Sequence, residues 1–486
     1  MAKDYSVNVG YPARDKNQVL PLINGEETWR TISNYIENAQ KTIHMCFWAM
    51  EGTLELIRNS NEVVTEPSAR DKYILFNALA AAKKRGVAVR ILLWDAPYDS
   101  HSTVAQQWNT DVMIRLAGST GIFELLYQEH PTSVIGSWHQ KTIIIDDSVA
   151  FVGGMNAKEL DWDTSEHLAF NMLRAGHRLT GKERRTIADT KDYKSLFKPR
   201  HDYMTLLKGG VVSDVQSNFV ERWNFCISKK KDYFKYATQL KMPQQSADVS
   251  DVKAQIVRTI PQYDPQPTGE KGILEVYLKA VRNAEKYIYI EDQYFRSAKL
   301  ANEIAKAAAK NNKLKVIIAT PPNYLSGLEP NERFKVVTPS TYWTAESFDI
   351  IKAAIPNFSF FYFQSSFIDS TNKRVFVPID LHAKAMIVDD EWYTIGSCNI
   401  NERGFDTEGE LNVSVQHSSA KDLRVKILSL HLKEQCPEDI NKAFQMWFDH
   451  ASINHRAWKS NSNPKSFIFP FNQKGPLLPI VPRNWF

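Results

Sequence analysis

The sequence predicts an α/β protein built from two similar halves. Each half contains an amphipathic helix followed by an apolar strand, in residues 28–50 (TWRTISNYIENAQKTIHMCFWAM) and 273–295 (ILEVYLKAVRNAEKYIYIEDQYF). A second helix and a β-branched strand follow in each half, in residues 75–95 and 302–320. Helices that alternate with β-branched runs are typical of α/β folds. Because this order is repeated, the chain is interpreted as an internal duplication.

A chemical pattern also occurs twice, in WHQKTIIIDDSVAFVGGMN (138–156) and LHAKAMIVDDEWYTIGSCN (381–399). In each copy a histidine is followed by lysine two residues on, aspartate seven on, glycine fourteen on and asparagine seventeen on. The members are His139, Lys141, Asp146, Gly153 and Asn156 in the first copy, and His382, Lys384, Asp389, Gly396 and Asn399 in the second. One such match would be weak evidence. Two copies with identical offsets indicate two histidines that face one substrate.

Both motifs are expected on strands. Side chains alternate between the faces of a strand, so each motif histidine and the lysine two residues on point to the same side. Asp146 and Asp389 are each followed by a second aspartate, and we expect them in turns that open a return strand, with a structural role. A glycine near the end of that return strand lets Asn156 and Asn399 approach a ligand closely.

These residue types suit the cleavage of a phosphodiester. Such a group is anionic, so its attack requires cations and donors around the non-bridging oxygens, and Lys141, Lys384, Asn156 and Asn399 can supply them. The two histidines can act as nucleophile and as general acid, then base, around neutral pH. No carboxylate cluster of the metal-binding kind is evident, so neither a metal nor another cofactor is expected. The symmetry of the motifs does not decide which histidine is the nucleophile.

The duplication also predicts the domain organisation of the 486 residues. We expect residues 1–226 to form an N-terminal half with the first motif and residues 253–486 a C-terminal half with the second. The stretch 227–252 is polar and lacks sustained periodicity, which is typical of a linker. The tail after residue 461 has several prolines and aromatic residues and is expected to lie extended on the body of the protein.

Composition and charge narrow the class of protein. An apolar fraction of 43% and a charged fraction of 24% are ordinary for a soluble globular chain. The net charge of +5 suits contact with an anionic surface but does not favour a nucleic-acid partner. No signal peptide is evident, and no apolar run approaches the ~18 residues of a transmembrane helix. We therefore expect a monomer made in the cytoplasm, which is compatible with peripheral membrane contact or with secretion that needs no signal peptide.

The motifs and the segments around them resemble the phospholipase D superfamily. Segments 288–295 (IYIEDQYF), 161–167 (DWDTSEH), 201–225 and 400–413 are similar to those of eukaryotic-type phospholipases D. Asn156 stands where many eukaryotic members have aspartate, which makes the first half more similar to bacterial relatives. The resemblance implies two α-β-α sandwich halves with mixed β-sheets, related by a pseudo-twofold axis, with the active site between them.

The resemblance also implies roles for individual residues. In the superfamily one histidine becomes a transient phosphohistidine and the other protonates the leaving group. The usual assignment makes His139 the nucleophile and His382 the acid. Glu410 matches the carboxylate that orients the second-half histidine, and we expect Asp163, in preference to Glu166, as its first-half counterpart.

Two further pairs of residues have two interpretations each. His201 and Asp202 are either structural or line the substrate pocket. Tyr342 and Trp343 either pack in the core or dip into a bilayer interface, where tryptophan and tyrosine are enriched.

The resemblance predicts a phospholipase D acting at a membrane surface. Such an enzyme hydrolyses the distal phosphodiester of a glycerophospholipid to phosphatidic acid and a head group, with transfer to alcohols as a second outcome. The main alternative is a nuclease or another phosphodiesterase of the same superfamily, which the modest charge and the lack of a basic stripe disfavour. A non-catalytic lipid-binding protein is disfavoured because it would not need both histidines.

Overall fold

A computed structural model of the chain describes residues 3–95, 109, 120–131, 136–229, 237–263, 266, 268–322 and 339–471. Within these ranges the protein forms eleven α-helices and nineteen β-strands. None of these helices combines the length and the apolar character needed to cross a bilayer.

The first half contains eight strands and five helices. They are β1 (Arg14–Ile23), α1 (Asn24–Asn38), β2 (Thr42–Phe47), α2 (Pro67–Arg70), α3 (Leu75–Lys84), β3 (Ala88–Asp95), β4 (Glu124–Glu129), β5 (Thr142–Ile145), β6 (Val149–Gly153), α4 (Gly181–Thr190), β7 (Arg200–His201), β8 (Tyr203–Lys208) and α5 (Val211–Ser228).

The second half contains the remaining eleven strands and six helices. They are β9 (Val252–Ile260), β10 (Glu270–Lys271), α6 (Gly272–Asn283), β11 (Tyr287–Asp292), α7 (Ala298–Lys310), β12 (Lys315–Ala319), α8 (Pro339–Ala354), β13 (Phe360–Ile368), β14 (Arg374–Pro378), β15 (Asp380–Leu381), β16 (Lys384–Val388), β17 (Trp392–Gly396), α9 (Glu402–Asp406), β18 (Glu410–Gln416), α10 (Ser419–Leu432), α11 (Ile440–Lys459) and β19 (Ile468–Phe471).

The two halves have the same sheet topology. The strand order is β4-β3-β2-β5-β6-β8-β1 in the first half and β13-β12-β11-β16-β17-β18-β9 in the second. In each sheet the first three strands are parallel and the others antiparallel, so each sheet is mixed. Strands β1 and β9 occupy equivalent positions and pair with each other in antiparallel fashion, which joins the halves. The predicted fold, two similar halves with mixed sheets, is confirmed.

Apolar side chains fill the space on both faces of each sheet. On β2, Ile43, Met45 and Phe47 pack against α1 and α3, whereas Cys46 faces a core that contains residues of both halves. On β11, Ile288 and Ile290 face the second-half helices in the same way. This alternation follows from the period of two along a strand. Because the central core belongs to both halves, the motif strands of the two halves are held close together.

The segment before β1 lies mostly against the second half. Residues 3–11 pack on the second half, where the Tyr5 ring stacks on Trp392 with centroids 5.8 Å apart. The division at 227–252 stays a prediction, although within this stretch helix α5 ends at Ser228 and β9 begins at Val252. Trp343 is buried in α8. In the tail, β19 pairs with β13, and residues 472–486 lie outside the described part.

Candidate active site

The motif aspartates begin the three-residue turns that follow the motif strands β5 and β16. Both have positive φ, 53° at Asp146 and 57° at Asp389, a conformation that aspartate tolerates. The Asp146 carboxylate accepts the backbone N–H groups of residues 40–42 at 2.7–2.9 Å. The Asp389 carboxylate accepts the backbone N–H groups of residues 285–287, also at 2.7–2.9 Å. Each aspartate therefore ties the turn after its motif strand to the start of the neighbouring strand.

Each motif histidine is held by the main chain of the opposite half. The His139 N–H donates to the Gly409 carbonyl at 2.8 Å, and the His382 N–H donates to the His201 carbonyl at 2.9 Å. At both places the segment that leads into the motif pairs in parallel with a segment of the other half. The two contacts are thus equivalent under the pseudo-twofold relation. In each case the residue after the carbonyl is acidic.

These two acidic residues contact the imidazoles of the opposite half. His139 Nδ1 lies 2.9 Å from Glu410 Oε1, and His382 Nδ1 lies 2.6 Å from Asp202 Oδ2. The expectation that Glu410 orients the second-half histidine is therefore wrong, because the exchange of segments between halves places it against the first-half histidine. Asp202, for which two interpretations were open, is its counterpart.

Asp163, the expected partner of the first-half histidine, has other contacts. Its carboxylate lies 2.9 Å from His167 Nδ1 and accepts hydrogen bonds from Arg174 and from the Arg200 backbone, each at 2.9 Å. The predicted pairing with His139 is wrong, since Glu410 occupies that position. Asp163 instead anchors the loop after the first motif.

The motif lysines are buried beside the histidines. Each donates from Nζ to the carbonyl of the histidine two residues before it. Lys384 also donates to Gln293 Oε1 at 3.1 Å. In the first half the residue after β2 is Trp48, equivalent to Gln293 after β11. Its ring centroid is 6.0 Å from Lys141 Nζ and 6.0 Å from the His139 ring.

Burial and positive charge keep both imidazoles neutral. Burial, followed by the charges of both motif lysines and of Arg403, lowers the pKa of His139 well below its usual range. Burial, followed by the charges of Arg200 and both motif lysines, has the same effect on the pKa of His382. Since both histidines respond to the lysines of both halves, the two motifs form one site.

Burial also raises the pKa of the two partner carboxyl groups. Burial raises the pKa of Asp202 to about 7. Burial, together with the nearby Glu408 carboxylate, raises the pKa of Glu410 well above its usual range. A buried histidine and carboxylate in contact titrate as a pair, so these shifts describe each pair as a unit.

Comparison with known proteins identifies the family of the chain. A family profile described as "Phospholipase D" matches residues 35–336, more than half of the chain. The chain belongs to the phospholipase D superfamily. A second profile of that superfamily, described as "Cardiolipin synthase, PLD-like domain", matches residues 277–430.

Relatives within the phospholipase D superfamily are distant in sequence. "Phospholipase D A" of Dictyostelium discoideum is 25% identical over 433 residues, covering 81% of this chain and 32% of that protein. "Phospholipase D alpha 4" of Arabidopsis thaliana is 25% identical over 475 residues, covering 79% of this chain and 59% of that protein. The chain thus spans less than two thirds of either relative. The crystal structure of phosphatidylserine synthase from Haemophilus influenzae Rd KW20 has a TM-score of 0.53 at 13% identity, covers 87% of each chain and shows the shared fold.

The asparagines of this phospholipase D motif lie beside the motif strands. Asn156 Oδ1 accepts the Ala49 N–H at 3.3 Å, which leaves the amide NH2 group to donate elsewhere. Asn399 is buried, and its Oδ1 has no hydrogen-bond partner among the described residues. Its segment is held by Asp292, which accepts the Ile400 N–H at 3.1 Å. Burial raises the pKa of Asp292 to about 8.

A further lysine, Lys158, reaches the site and was missed in the sequence. It is buried, with Nζ 3.4 Å from Asp161 Oδ2 and 5.7 Å from the Trp48 ring centroid. Its charge also lowers the pKa of His382, after larger effects of burial, Arg200 and both motif lysines. The sequence signal for Lys158 was its position two residues after the motif residue Asn156. The second copy has no basic counterpart, because Asn401 stands two residues after Asn399.

Three groups in the described part bring histidine and carboxylate ligand atoms within 4.8 Å of one another. They are His139 with Glu408 and Glu410, His382 with Asp161 and Asp202, and His201 with Glu291 and His431. In the third group Glu291 accepts hydrogen bonds from Tyr203 and Tyr289 and lies 2.7 Å from His431 Nε2 and 3.0 Å from His201 Nε2. Protein donors therefore occupy both carboxylate oxygens that a metal would need.

Proposed function

We propose that the chain is a phospholipase D that hydrolyses the distal phosphodiester of a glycerophospholipid to phosphatidic acid and a head group. The observation that carries this proposal is the pair of buried histidines, each with Nδ1 against a carboxylate of the opposite half and each beside a buried lysine. With Nδ1 engaged, Nε2 is the reactive atom of each ring. Two such atoms in one site suit attack on phosphorus from one side and protonation of the leaving oxygen on the other.

The surroundings of Nδ1 favour His139 as the nucleophile. This atom lies 3.1 Å from the Ser397 carbonyl oxygen as well as 2.9 Å from Glu410. A carbonyl can only accept a hydrogen bond, so Nδ1 carries the hydrogen and the Nε2 lone pair is available. As Nε2 attacks, a P–N bond forms and the P–O bond to the head group breaks. The product is a phosphohistidine on His139.

His382 then has the role of general acid. Its pair with Asp202 can hold a proton near neutral pH, because burial raises the pKa of that aspartate to about 7. An anionic phosphodiester beside Lys384 would raise the pKa of His382 by offsetting the positive charges around it. The proton on Nε2 passes to the departing head-group oxygen. The neutral imidazole next takes a proton from water, whose oxygen displaces His139 from phosphorus and releases phosphatidic acid, and an alcohol in place of water gives transphosphatidylation.

The lysines and asparagines would hold the non-bridging oxygens. Burial lowers the pKa of Lys141 and of Lys384, so an anionic ligand that restores their charge gains a strong interaction in a site with little water. The amide of Asn156 can donate to the same oxygens, because Ala49 occupies only its Oδ1. These groups stabilise the charge that builds up on phosphorus in both steps.

Head-group release provides the direct test. Vesicles of phosphatidylcholine or phosphatidylethanolamine are incubated with the wild type, His139→Ala and His382→Ala in the presence of chelator. The wild type is expected to release head group and phosphatidic acid, with a loss of at least ~10³-fold in each variant. No release by the wild type, or unchanged release by both variants, would refute the proposal. Cleavage of single-stranded DNA with no lipid turnover would identify a nuclease.

A p-nitrophenyl phosphatidyl ester separates the two histidines. Its leaving group departs without a proton, so the first step does not need His382. We expect His382→Ala to give a burst of one p-nitrophenolate per active site, followed by slow turnover, and to accumulate a phosphatidyl group on His139. His139→Ala should give no burst. A burst in His139→Ala would assign the roles in reverse.

A further inference from the structure

We propose that a patch of apolar side chains beside the His382 region docks on an anionic phospholipid bilayer. The patch, called here the loop patch, consists of Leu168, Phe170, Tyr193, Phe367 and Ile368. The docking proposal rests on the proposed function only in that the bilayer would also supply the substrate. Tyr342 and Trp343, for which the sequence left core packing or a bilayer interface open, do not belong to the loop patch, and Trp343 is buried.

The loop patch brings together side chains from three chain segments that meet at Phe367. Leu168 is 46% exposed and Ile368 is 39% exposed. Phe367, the residue before Ile368, is half-buried, and its ring centroid lies 6.0 Å from that of Phe170 and 5.4 Å from that of Tyr193. Single exposed apolar residues are ordinary, whereas exposed apolar side chains gathered around stacked rings indicate an interaction site.

The backbone beneath the exposed side chains is fixed. The buried Arg174 guanidinium donates to the Leu168 carbonyl at 2.7 Å and to the Ala169 carbonyl at 3.2 Å, and it also binds Asp163. Ile368 ends β13 and is paired with Arg374 of β14. Insertion of these side chains into a bilayer would therefore order little additional backbone, which keeps the entropic cost of docking low.

The charges around the loop patch fit an anionic lipid surface. Segments 165–172, 191–198 and 366–374 together contain five lysine or arginine residues and three aspartate or glutamate residues. Lys191, Lys194, Lys198 and Lys373 are exposed. Lysines near a bilayer are attracted to anionic head groups, while aromatic rings settle at the head-group level. This combination favours a lipid surface over an apolar protein partner, which would not need the surrounding lysines.

The loop patch is joined to the proposed acid by short, rigid connections. His167, the neighbour of Leu168, lies with Nε2 3.3 Å from His201 Nδ1, and the His201 carbonyl holds the His382 backbone. Strand β14, which continues the hairpin from Ile368, is followed by β15 and then by His382. Docking at the loop patch would thus place a lipid surface against the segments that hold the His382 backbone.

Vesicle binding can be measured apart from catalysis. His139→Ala protein, which should not consume the lipid, is sedimented with phosphatidylcholine vesicles that contain no phosphatidylglycerol or about one third of it. Leu168→Ser/Ile368→Ser should reduce binding on the order of tenfold for each side chain withdrawn from the bilayer. Met242→Ser/Val249→Ser is the matched control, because these residues are 55% and 53% exposed outside the loop patch, and it should bind as the parent does. Lys194→Glu/Lys373→Glu should weaken binding only to the anionic vesicles.

Turnover of a short-chain phosphatidylcholine below its micelle concentration shows whether the active site is intact. The loop-patch double variant, without the His139 change, should retain wild-type turnover of this monomeric substrate. Equal vesicle binding by the loop-patch and control variants, or no vesicle binding by the parent, would overturn the docking proposal. So would concentration-dependent self-association that the loop-patch variant abolishes. Patch-dependent binding by a wild type that turns over no phospholipid would refute the proposed function and leave the docking proposal standing.

Discussion

The exchange of carboxylates between halves predicts that Asp202→Asn and Glu410→Gln damage different chemical steps. Asp202 contacts His382 at 2.6 Å, and Glu410 contacts His139 at 2.9 Å. A hydrogen bond to a charged group contributes about 1.5–3 kcal/mol. At 1.36 kcal/mol for each factor of ten, its loss from a transition state slows that step by roughly 10- to 150-fold. An asparagine that donates to Nδ1 would also impose the wrong tautomer, which costs about 10⁴-fold in a serine protease triad, so this range is a lower bound.

The leaving group is the variable that distinguishes the two variants. With phosphatidylcholine, both should lose at least ten- to 150-fold in kcat/KM. With the p-nitrophenyl ester, the burst rate of Asp202→Asn should recover to near the wild-type value, because that leaving group needs no proton from His382. The burst rate of Glu410→Gln should stay low, since His139 still has to attack. Single-turnover stopped-flow absorbance measures both rates.

The pH profile provides an independent measurement. Removing a carboxylate lowers the pKa of the histidine beside it, because the negative charge favours the imidazolium form. For an acid, a lower pKa shifts the alkaline limb of kcat/KM to lower pH, which we expect for Asp202→Asn. For a nucleophile, it shifts the acid limb to lower pH, which we expect for Glu410→Gln. The reasoning would be refuted if the p-nitrophenyl ester restored the burst rate of Glu410→Gln but not that of Asp202→Asn. It would also be refuted if Asp202→Asn shifted the acid limb of the pH profile and Glu410→Gln the alkaline limb.

Three other substitutions test the surroundings of the site. Burial raises the pKa of Asp292 to about 8, so between pH ~4 and ~8 the unfolded chain releases a proton that the folded chain keeps, and stability falls by about 1.4 kcal/mol per pH unit. The Asp292→Asn variant does not titrate at this position, so its melting temperature should rise relative to that of the wild type up to pH 8, and the difference should then stay constant. An equal difference at pH 5 and pH 8 would contradict this. Lys158→Gln should raise KM about tenfold with a smaller change in kcat, because it removes a positive charge near the phosphate site; an unchanged KM in steady-state assays would exclude contact with substrate. In Gly154→Ala the new Cβ would lie 2.4 Å from Asp202 Oδ1, whereas in Gly176→Ala the atom nearest to the new Cβ would be 3.6 Å away. Activity should therefore fall at least tenfold in Gly154→Ala and stay unchanged in Gly176→Ala. Equal activities would show that the Asp202 carboxylate can move without loss of activity.

The sequence was sufficient for the fold because the duplication repeats several kinds of signal. The amphipathic pattern of α1 and α6 and the apolar runs of β2 and β11 recur in the same order in both halves. Residues close together in a motif could also be placed, since the period of a strand determines which side chains share a face. These inferences depend only on local geometry, which a sequence pattern describes well.

Carboxylate partners could not be assigned in this way because they depend on contacts between halves. Glu410 is 271 residues from His139, and Asp202 is 180 residues from His382. Their placement follows from the parallel pairing of each pre-motif segment with the opposite half, and motif spacing does not encode that pairing. One signal was present, since Asp202 directly precedes β8 and Glu410 begins β18, and both strands have strong β-propensity, in HDYMTLL and GELNVSV. Asp163, the expected partner, lies in the segment DWDTSEH just after the first motif.

A duplicated motif can perform two chemical roles only if the surroundings of its copies differ. The residue after the motif glycine is Gly154 in the first half and Ser397 in the second. Ser397 donates its hydroxyl to Glu410 and offers its carbonyl to His139 Nδ1, so that the tautomer of this ring is determined. Gly154 has no hydroxyl to offer Asp202, and among the described residues Asp202 is the hydrogen-bond partner found for His382 Nδ1. This difference supports the proposed roles, because the His382 pair is free to relocate its proton, as an acid that later becomes a base must do, whereas the His139 pair keeps one arrangement, as a nucleophile requires.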